Sequence, residues 1–219
     1  MSFLTDKEAK AQILEIGRRL YEKGFVASND GNISCKAGAN EVWATPTCVS
    51  KGFMTEEMLV KLSLSGEILE GNYKPSSEIK MHLRVYRENP VVGGVVHAHS
   101  PYATCAAAAE KSLDGLFLTE TLMSIGNVPC APFAMPGTEE VPDSIAPYCR
   151  DYNAVLLAHH GVLTWGKDLM QAYMRMESVE FFARITIMEN LIPGGYPKLT
   201  EAQIRGLEEI RRKNENNGN

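Results

Sequence analysis

At 219 residues and 44% hydrophobic content, the chain is sized for one globular domain. Its formal net charge of −5 gives no basic surplus for nucleic acid, and no run of about 18 apolar residues is present to cross a membrane. The five cysteines (Cys35, Cys48, Cys105, Cys130, Cys149) form no Cys-x-x-Cys pair, and the start lacks a basic segment leading into an apolar core; reduced thiols in a soluble cytoplasmic protein, with no nucleic-acid or membrane partner, are the expectation.

Ala9, Ile13, Ile16 and Leu20 recur at helical spacing and predict a helix from Asp6 to Glu22, with Gly24 as its stop. Residues 25–36 are turn-rich around Asn29-Asp30-Gly31-Asn32, and Glu41 to Thr45 reads as a strand ending at Pro46. Leu59 to Leu64 alternates and turns at Ser65-Gly66, as a half-buried hairpin does. A second helix is predicted from Ser77 to Glu88, ended by Asn89-Pro90, with Glu78 in its first turn. The run Val91 to Val96 is β-branched and reads as a buried strand. Ser100-Pro101 reads as a capped helix start leading into an alanine-rich run to Glu110. Short strands are expected near Gly115–Leu118 and Val128–Phe133, a helix over Thr138–Tyr148, and strands at Ala154–Ala158 and Val162–Thr164. The stripe Leu169, Ala172, Tyr173, Met176, Val179, Phe182 and Ala183 predicts a long helix making core or subunit contacts. A last helix begins at Thr200, where Gln203 completes a capping box, and the polar tail 213–219 is expected to fray. Helices and strands interleave without a linker or repeat, so residues 1–219 read as one α/β domain.

The chemistry concentrates in five short motifs. His97-Ala98-His99 closes the β-branched run, and on a strand residues i and i+2 project from one face roughly 7 Å apart at the backbone. Two imidazoles so held can close on one metal ion; zinc takes nitrogen at about 2.0–2.1 Å and is usually four-coordinate, which calls for further donors. His159-His160 ends another strand-like run and precedes Gly161, so a metal site assembled at strand ends is the favoured reading over isolated hydrogen-bonded histidines. A cupin-type centre also uses His-x-His but wants a glutamate shortly downstream, where Ser100-Pro101-Tyr102-Ala103-Thr104 stands instead. Ser76-Ser77-Glu78 opens the second helix and offers hydroxyls and backbone N–H groups to a phosphate, or a plain helix cap. His82 shares the packing stripe of Ile79, Leu83 and Tyr86 and reads as a core histidine. Gly31-Asn32-Ile33-Ser34 and Thr45-Pro46-Thr47-Cys48 are polar turns able to approach an anion.

In this order, over about residues 8–190, the motifs resemble the class II aldolase/adducin family. The resemblance implies a three-layer α/β/α fold around a mixed, largely antiparallel sheet. It implies Zn2+, or another divalent transition metal, on Glu78, His97, His99 and His160, with His159 only a neighbour. It implies phosphate contacts at Asn32, Thr47, Ser76 and Ser77, with a looser match at Asn29. It also implies a homotetramer with active sites between subunits. Two positions depart from the family pattern: Cys48 replaces a glycine usual after Thr-Pro-Thr, and residues 117–122 lack the tyrosine that serves as proton donor from a neighbouring subunit. Glu120 or Tyr196 is the candidate substitute.

The function this implies is zinc-dependent cleavage of a short ketose 1-phosphate, of the L-fuculose 1-phosphate type, to dihydroxyacetone phosphate and an aldehyde, with Glu78 catalytic. The alternatives are a 4-epimerase (which has aspartate at the Glu78 position), a methylthioribulose-phosphate dehydratase, a sugar-acid phosphate decarboxylase, or a non-catalytic adducin-like interaction module. A module of that kind has no reason to keep four ligands and the phosphate elements.

Overall fold

Thr5 and Glu8 close a reciprocal capping box at the start of helix α1 (Asp6–Glu22), which buries Ala9, Ile13, Ile16 and Leu20 along one face. Removing one of these buried aliphatic side chains, as in Ile13→Ala, is expected to cost about 2–5 kcal/mol. The computed structural model describes residues 3–114, 118–189 and 191–216. Its strands are β1 (Asn32–Lys36), β2 (Glu41–Ala44), β3 (Val60–Ser63), β4 (Ile68–Glu70), β5 (Gly94–Ala98), β6 (Cys130–Ala131), β7 (Ala154–Leu157) and β8 (Gly161–Gly166). They form one sheet in the order β4-β3-β2-β1-β5-β8-β7-β6, antiparallel except for the β6–β7 pair.

Two-residue alternation splits the strands between two cores. Trp43, Val96, Leu156 and Val162 face α1 and the later helices α3 (Pro101–Ala108) and α6 (Leu169–Glu189). Val42, Ala44, Val95, Val155, Leu157 and Leu163 face α2 (Ile79–Glu88) and α5 (Glu140–Ile145). The architecture is therefore the expected three-layer α/β/α arrangement around a largely antiparallel sheet.

Several local expectations need correction. Helix α2 starts at Ile79, so Glu78 is its N-cap rather than a first-turn residue, and the Ser76 hydroxyl accepts the Glu78 N–H at 3.3 Å. Ser100 makes no side-chain cap on α3; the Glu180 carboxylate of α6 accepts the N–H groups of Tyr102 and Ala103 instead, at 3.0 and 2.9 Å. The strand expected near 115–118 lies outside the described residues except for Leu118, which precedes helix α4 (Thr119–Ser124). The strand expected over 128–133 shrinks to Cys130–Ala131, because Pro129 and Pro132 have no N–H to donate to a ladder. The helix expected over 138–148 divides into α5 and a 3-10 turn at Ala146–Tyr148, where Pro147 interrupts it. At the carboxy end, Thr200 and Gln203 cap helix α7 (Glu201–Asn216), which continues past Lys213 where fraying was expected; residues 217–219 lie outside the described residues.

Candidate metal centre

Adjacent antiparallel strands carry the histidines to one end of the sheet. His97 lies on β5 and His99 just beyond it, while His160 ends the turn that joins β7 to β8. That turn is tight: His159 takes a left-handed φ of 57°, and the His160 N–H bonds to the Leu157 carbonyl at 2.9 Å. A Cβ on Gly161 would stand 2.8 Å from His99 Cδ2 and 2.7 Å from the Ala98 carbonyl oxygen. Only glycine lets the β8 backbone pass the two rings, which explains the glycine after the histidine pair.

The three imidazoles offer donor atoms within 4.8 Å of one another and could hold a metal ion. His97 Nδ1 lies 3.0 Å from the Val162 carbonyl oxygen, which can only accept, so Nδ1 carries the proton and Nε2 keeps its lone pair. His99 Nδ1 lies 3.3 Å from Asp30 Oδ2, which assigns the same tautomer. The two Nε2 atoms then face each other across 3.1 Å as lone pair against lone pair. Nitrogens bound to one tetrahedral zinc at about 2.0–2.1 Å stand roughly 3.3 Å apart, so the donor set fits such an ion.

Glu78 completes the cluster from the start of α2. Its Oε1 lies 2.8 Å from His160 Nε2 and its Oε2 3.5 Å from His97 Nε2, while the Asn32 amide donates to Oε2 at 2.7 Å. Burial acts to raise the Glu78 carboxyl, but the facing imidazoles and the Asn32 N–H outweigh it and hold the group well below the usual carboxylate range. Burial pushes the His97 imidazole well below its ordinary value, against the pull of Glu78, which keeps it neutral and able to ligate. Burial, reinforced by His160, also lowers His99. His159 stays apart, bonding Glu110 at 2.9 Å on the surface. His82 is fully buried on the Ser34 hydroxyl at 2.8 Å, a core histidine as its spacing predicts.

The polar turns converge beside this cluster. Thr45 exchanges backbone and side-chain bonds with Ile33, Ser76 N–H bonds the Thr45 carbonyl, and Thr47 N–H bonds the Lys74 carbonyl. Thr47, Ser76 and Ser77 are thereby zipped alongside Asn32 and Glu78. Asn29 is exposed, its side-chain oxygen accepting from Ser28. Cys48 adopts a φ of 58°, a left-handed conformation that glycine takes without a Cβ penalty. Glu120 lies on α4 with its carboxylate on the Thr119 hydroxyl, and Tyr196 follows α6 with its N–H on Glu189.

Sequence reading missed three residues that shape the site. Asp30 orients His99, and its only signal was a turn composition. Glu180 holds the start of α3 directly after His99 from 78 residues away. Lys51 is only 2% exposed; its ammonium donates to the Asn29 and Val49 carbonyls at 2.9 and 2.6 Å, tying the two polar loops together. Burial lowers its pKa to about 8 despite the nearby Asp30, Cys48 and Glu78.

Residues 11–187 match the family model described as the class II aldolase and adducin N-terminal domain. A 3-oxo-tetronate 4-phosphate decarboxylase of Pectobacterium atrosepticum is 34% identical, over 84% of this chain and 86% of its own. An L-fuculose phosphate aldolase of Methanococcus maripaludis is also 34% identical, over 82% of this chain and 97% of its own. Among solved structures, a putative aldolase/epimerase/decarboxylase of Klebsiella pneumoniae superposes with a TM-score of 0.85 at 30% identity, covering 93% of this chain and 99% of that one. Motif order, histidine geometry and these matches agree that the chain belongs to the class II aldolase and adducin family.

Proposed function

We propose that the protein is a metal-dependent lyase cleaving a short ketose 1-phosphate, of the L-fuculose 1-phosphate type, to dihydroxyacetone phosphate and an aldehyde. The observation that carries this reading is the pair of unprotonated Nε2 atoms 3.1 Å apart on His97 and His99, with an ionised Glu78 beside them. Zinc, or another divalent transition metal, on His97, His99, His160 and Glu78 would supply Lewis-acid stabilisation of the negative charge that develops on the ketose oxygens. Ser76, Ser77, Thr47 and Asn32 bind the phosphate, with Asn29 at its margin, and so set the distance from the phosphate to the breaking bond.

Glu78 carries the proton that the dihydroxyacetone phosphate fragment takes up at carbon once the bond has broken. A carboxylate moved away from a cation rises in pKa, which suits that role. The hydroxyl on the aldehyde side must lose its proton to a second group, and Glu120 or Tyr196 of a neighbouring copy is assigned that part. Met174, Phe181 and Met188 support a homotetramer with shared sites: they recur every seventh residue along α6 and are 57%, 60% and 42% exposed. Among the described residues no helix is long and apolar enough to cross a membrane; a phosphorylated substrate, which does not cross membranes unaided, supports a cytoplasmic location.

The decarboxylase relative, equal in identity to the aldolase relative, favours a second reading in which the same charge stabilisation serves carbon dioxide release. A panel of ketose 1-phosphates and 3-oxo-tetronate 4-phosphate, given to the zinc-loaded protein, separates the two. Release of dihydroxyacetone phosphate together with an aldehyde from a ketose 1-phosphate supports the aldolase, since loss of carbon dioxide from 3-oxo-tetronate 4-phosphate leaves dihydroxyacetone phosphate too. Carbon dioxide from the keto acid, with every ketose phosphate inert, overturns it.

A further inference from the structure

The side chains assigned to the phosphate, Asn32, Thr47, Ser76 and Ser77 with Asn29 at the margin, are all uncharged. A phosphate monoester carries a charge of about −1.5 to −2 at pH 7. Glu78, whose N–H bonds to the Ser76 hydroxyl, is itself an anion. Neutral donors beside a carboxylate hold a dianion poorly, so a cation within reach is called for. Segments 47–51 and 74–80 supply Lys51, Lys74 and Lys80. Two of these are spent. The Lys51 ammonium is enclosed by the Asn29 and Val49 carbonyls, and Lys80 pairs with the Glu139 carboxylate at 2.5 Å. Lys74 is exposed, and its side chain has no hydrogen bond or ion pair among the described residues.

Backbone pairing sets Lys74 on the face of the pocket. Pro46 and Pro75 form an antiparallel bridge. It is flanked by the Thr47 N–H on the Lys74 carbonyl at 3.0 Å and the Ser76 N–H on the Thr45 carbonyl at 3.3 Å. Thr47 therefore stands opposite Lys74, and Thr45 opposite Ser76. In an antiparallel pair, opposite residues and residues two apart share one face, with opposite Cβ atoms about 4.5–5.5 Å apart. Lys74, Thr47, Ser76 and Thr45 thus share a face. The Thr45 hydroxyl on it accepts the N–H of Ile33, the neighbour of Asn32, at 3.2 Å. The flexible four-carbon stem of a lysine can bring its ammonium to an anion seated on Thr47 and Ser76.

We propose that Lys74 is the cationic ligand of the substrate phosphate, its ammonium bonding the phosphate oxygens from the Thr47 side of the pocket. This role rests on the phosphate-binding part proposed above for Asn32, Thr47, Ser76 and Ser77. It holds for a ketose 1-phosphate and for 3-oxo-tetronate 4-phosphate alike, because both leave dihydroxyacetone phosphate.

The test titrates dihydroxyacetone phosphate into the zinc-loaded, full-length protein in a calorimeter. Lys74→Met should raise the Kd about tenfold, the factor expected for one lost charge-assisted hydrogen bond, with zinc content unchanged. Lys74→Arg should restore binding to within about threefold of wild type, and Lys80→Met should leave it unchanged. Added salt should weaken binding less in Lys74→Met than in wild type, because one ion pair is already gone. A wild-type Kd in Lys74→Met, with binding weakened in Ser77→Ala, overturns the role of Lys74 and leaves the phosphate pocket standing. Wild-type binding in both variants removes the pocket, and Lys74 with it. Binding in Lys74→Arg as weak as in Lys74→Met, an unchanged salt dependence, or loss of zinc from Lys74→Met overturns the charge role.

Discussion

The Asn32 amide donates to Glu78 Oε2 across 2.7 Å, joining the register partner of His97 to the N-cap of α2. One residue thus serves both halves of the site, steadying the carboxylate while lying among the polar turns. Losing a hydrogen bond to a charged group costs about 1.5–3 kcal/mol, so Asn32→Ala should lower kcat roughly 10- to 100-fold with metal content retained. Asn32→Asp should be worse, because it sets a second carboxylate against Glu78. Wild-type kcat in Asn32→Asp contradicts this account of the pair.

Glu78→Gln keeps the shape and one oxygen donor but removes the proton-carrying group. Turnover should fall about 10²- to 10⁴-fold, the usual contribution of a positioned acid or base, while part of the metal stays bound. Near-normal turnover in the glutamine variant would reduce Glu78 to a helix-start residue.

Ser77→Ala should raise KM for the phosphorylated substrate more than it lowers kcat, as loss of uniform binding does, and inorganic phosphate should compete with substrate. Ser77 is exposed, so its stability should change by no more than about 0.5 kcal/mol. Ser76→Ala should be less innocent, since the Ser76 hydroxyl also accepts the Glu78 N–H. An unphosphorylated sugar that reacts as well as its 1-phosphate removes the phosphate site.

The legible parts of this molecule are those set by neighbours in sequence. The capping box at Thr200 and the stripe of α1 depend on residues three or four apart, and they stand where their spacing puts them, whereas the box that Thr5 and Glu8 close is seen only in the structure. His97 and His99 were legible because a strand fixes their common face; His160 was set apart from His159 only by the family resemblance, and the close pass of β8 at Gly161 shows why a glycine follows it. The cap of α3 was not legible, because its acceptor arrives from α6, 78 residues distant. Lys51 hid for a different reason: lysine in a polar loop reads as solvent-exposed, and only the fold shows its ammonium enclosed by two carbonyls.

His82 gives a pH dependence with a definite sign. Burial lowers its pKa to about 3, from an ordinary value near 6.5. Below about pH 6.5 the unfolded chain takes up a proton that the folded chain refuses, so this contribution to stability is complete above that pH and is lost as pH falls toward 3. His82→Gln, which keeps a partner for the Ser34 hydroxyl, should flatten the fall in unfolding free energy of the metal-free protein between pH 6 and 4 by about 1.4 kcal/mol per pH unit. An unchanged slope in denaturant titrations contradicts the buried, neutral state of this ring.

The most direct test of the account is the zinc content of four purified single variants, His97→Ala, His99→Ala, His160→Ala and His159→Ala. The geometry predicts that the first three lose the ion and that His159→Ala retains it, because His159 turns away to Glu110. Full occupancy in His160→Ala together with loss in His159→Ala contradicts the assignment.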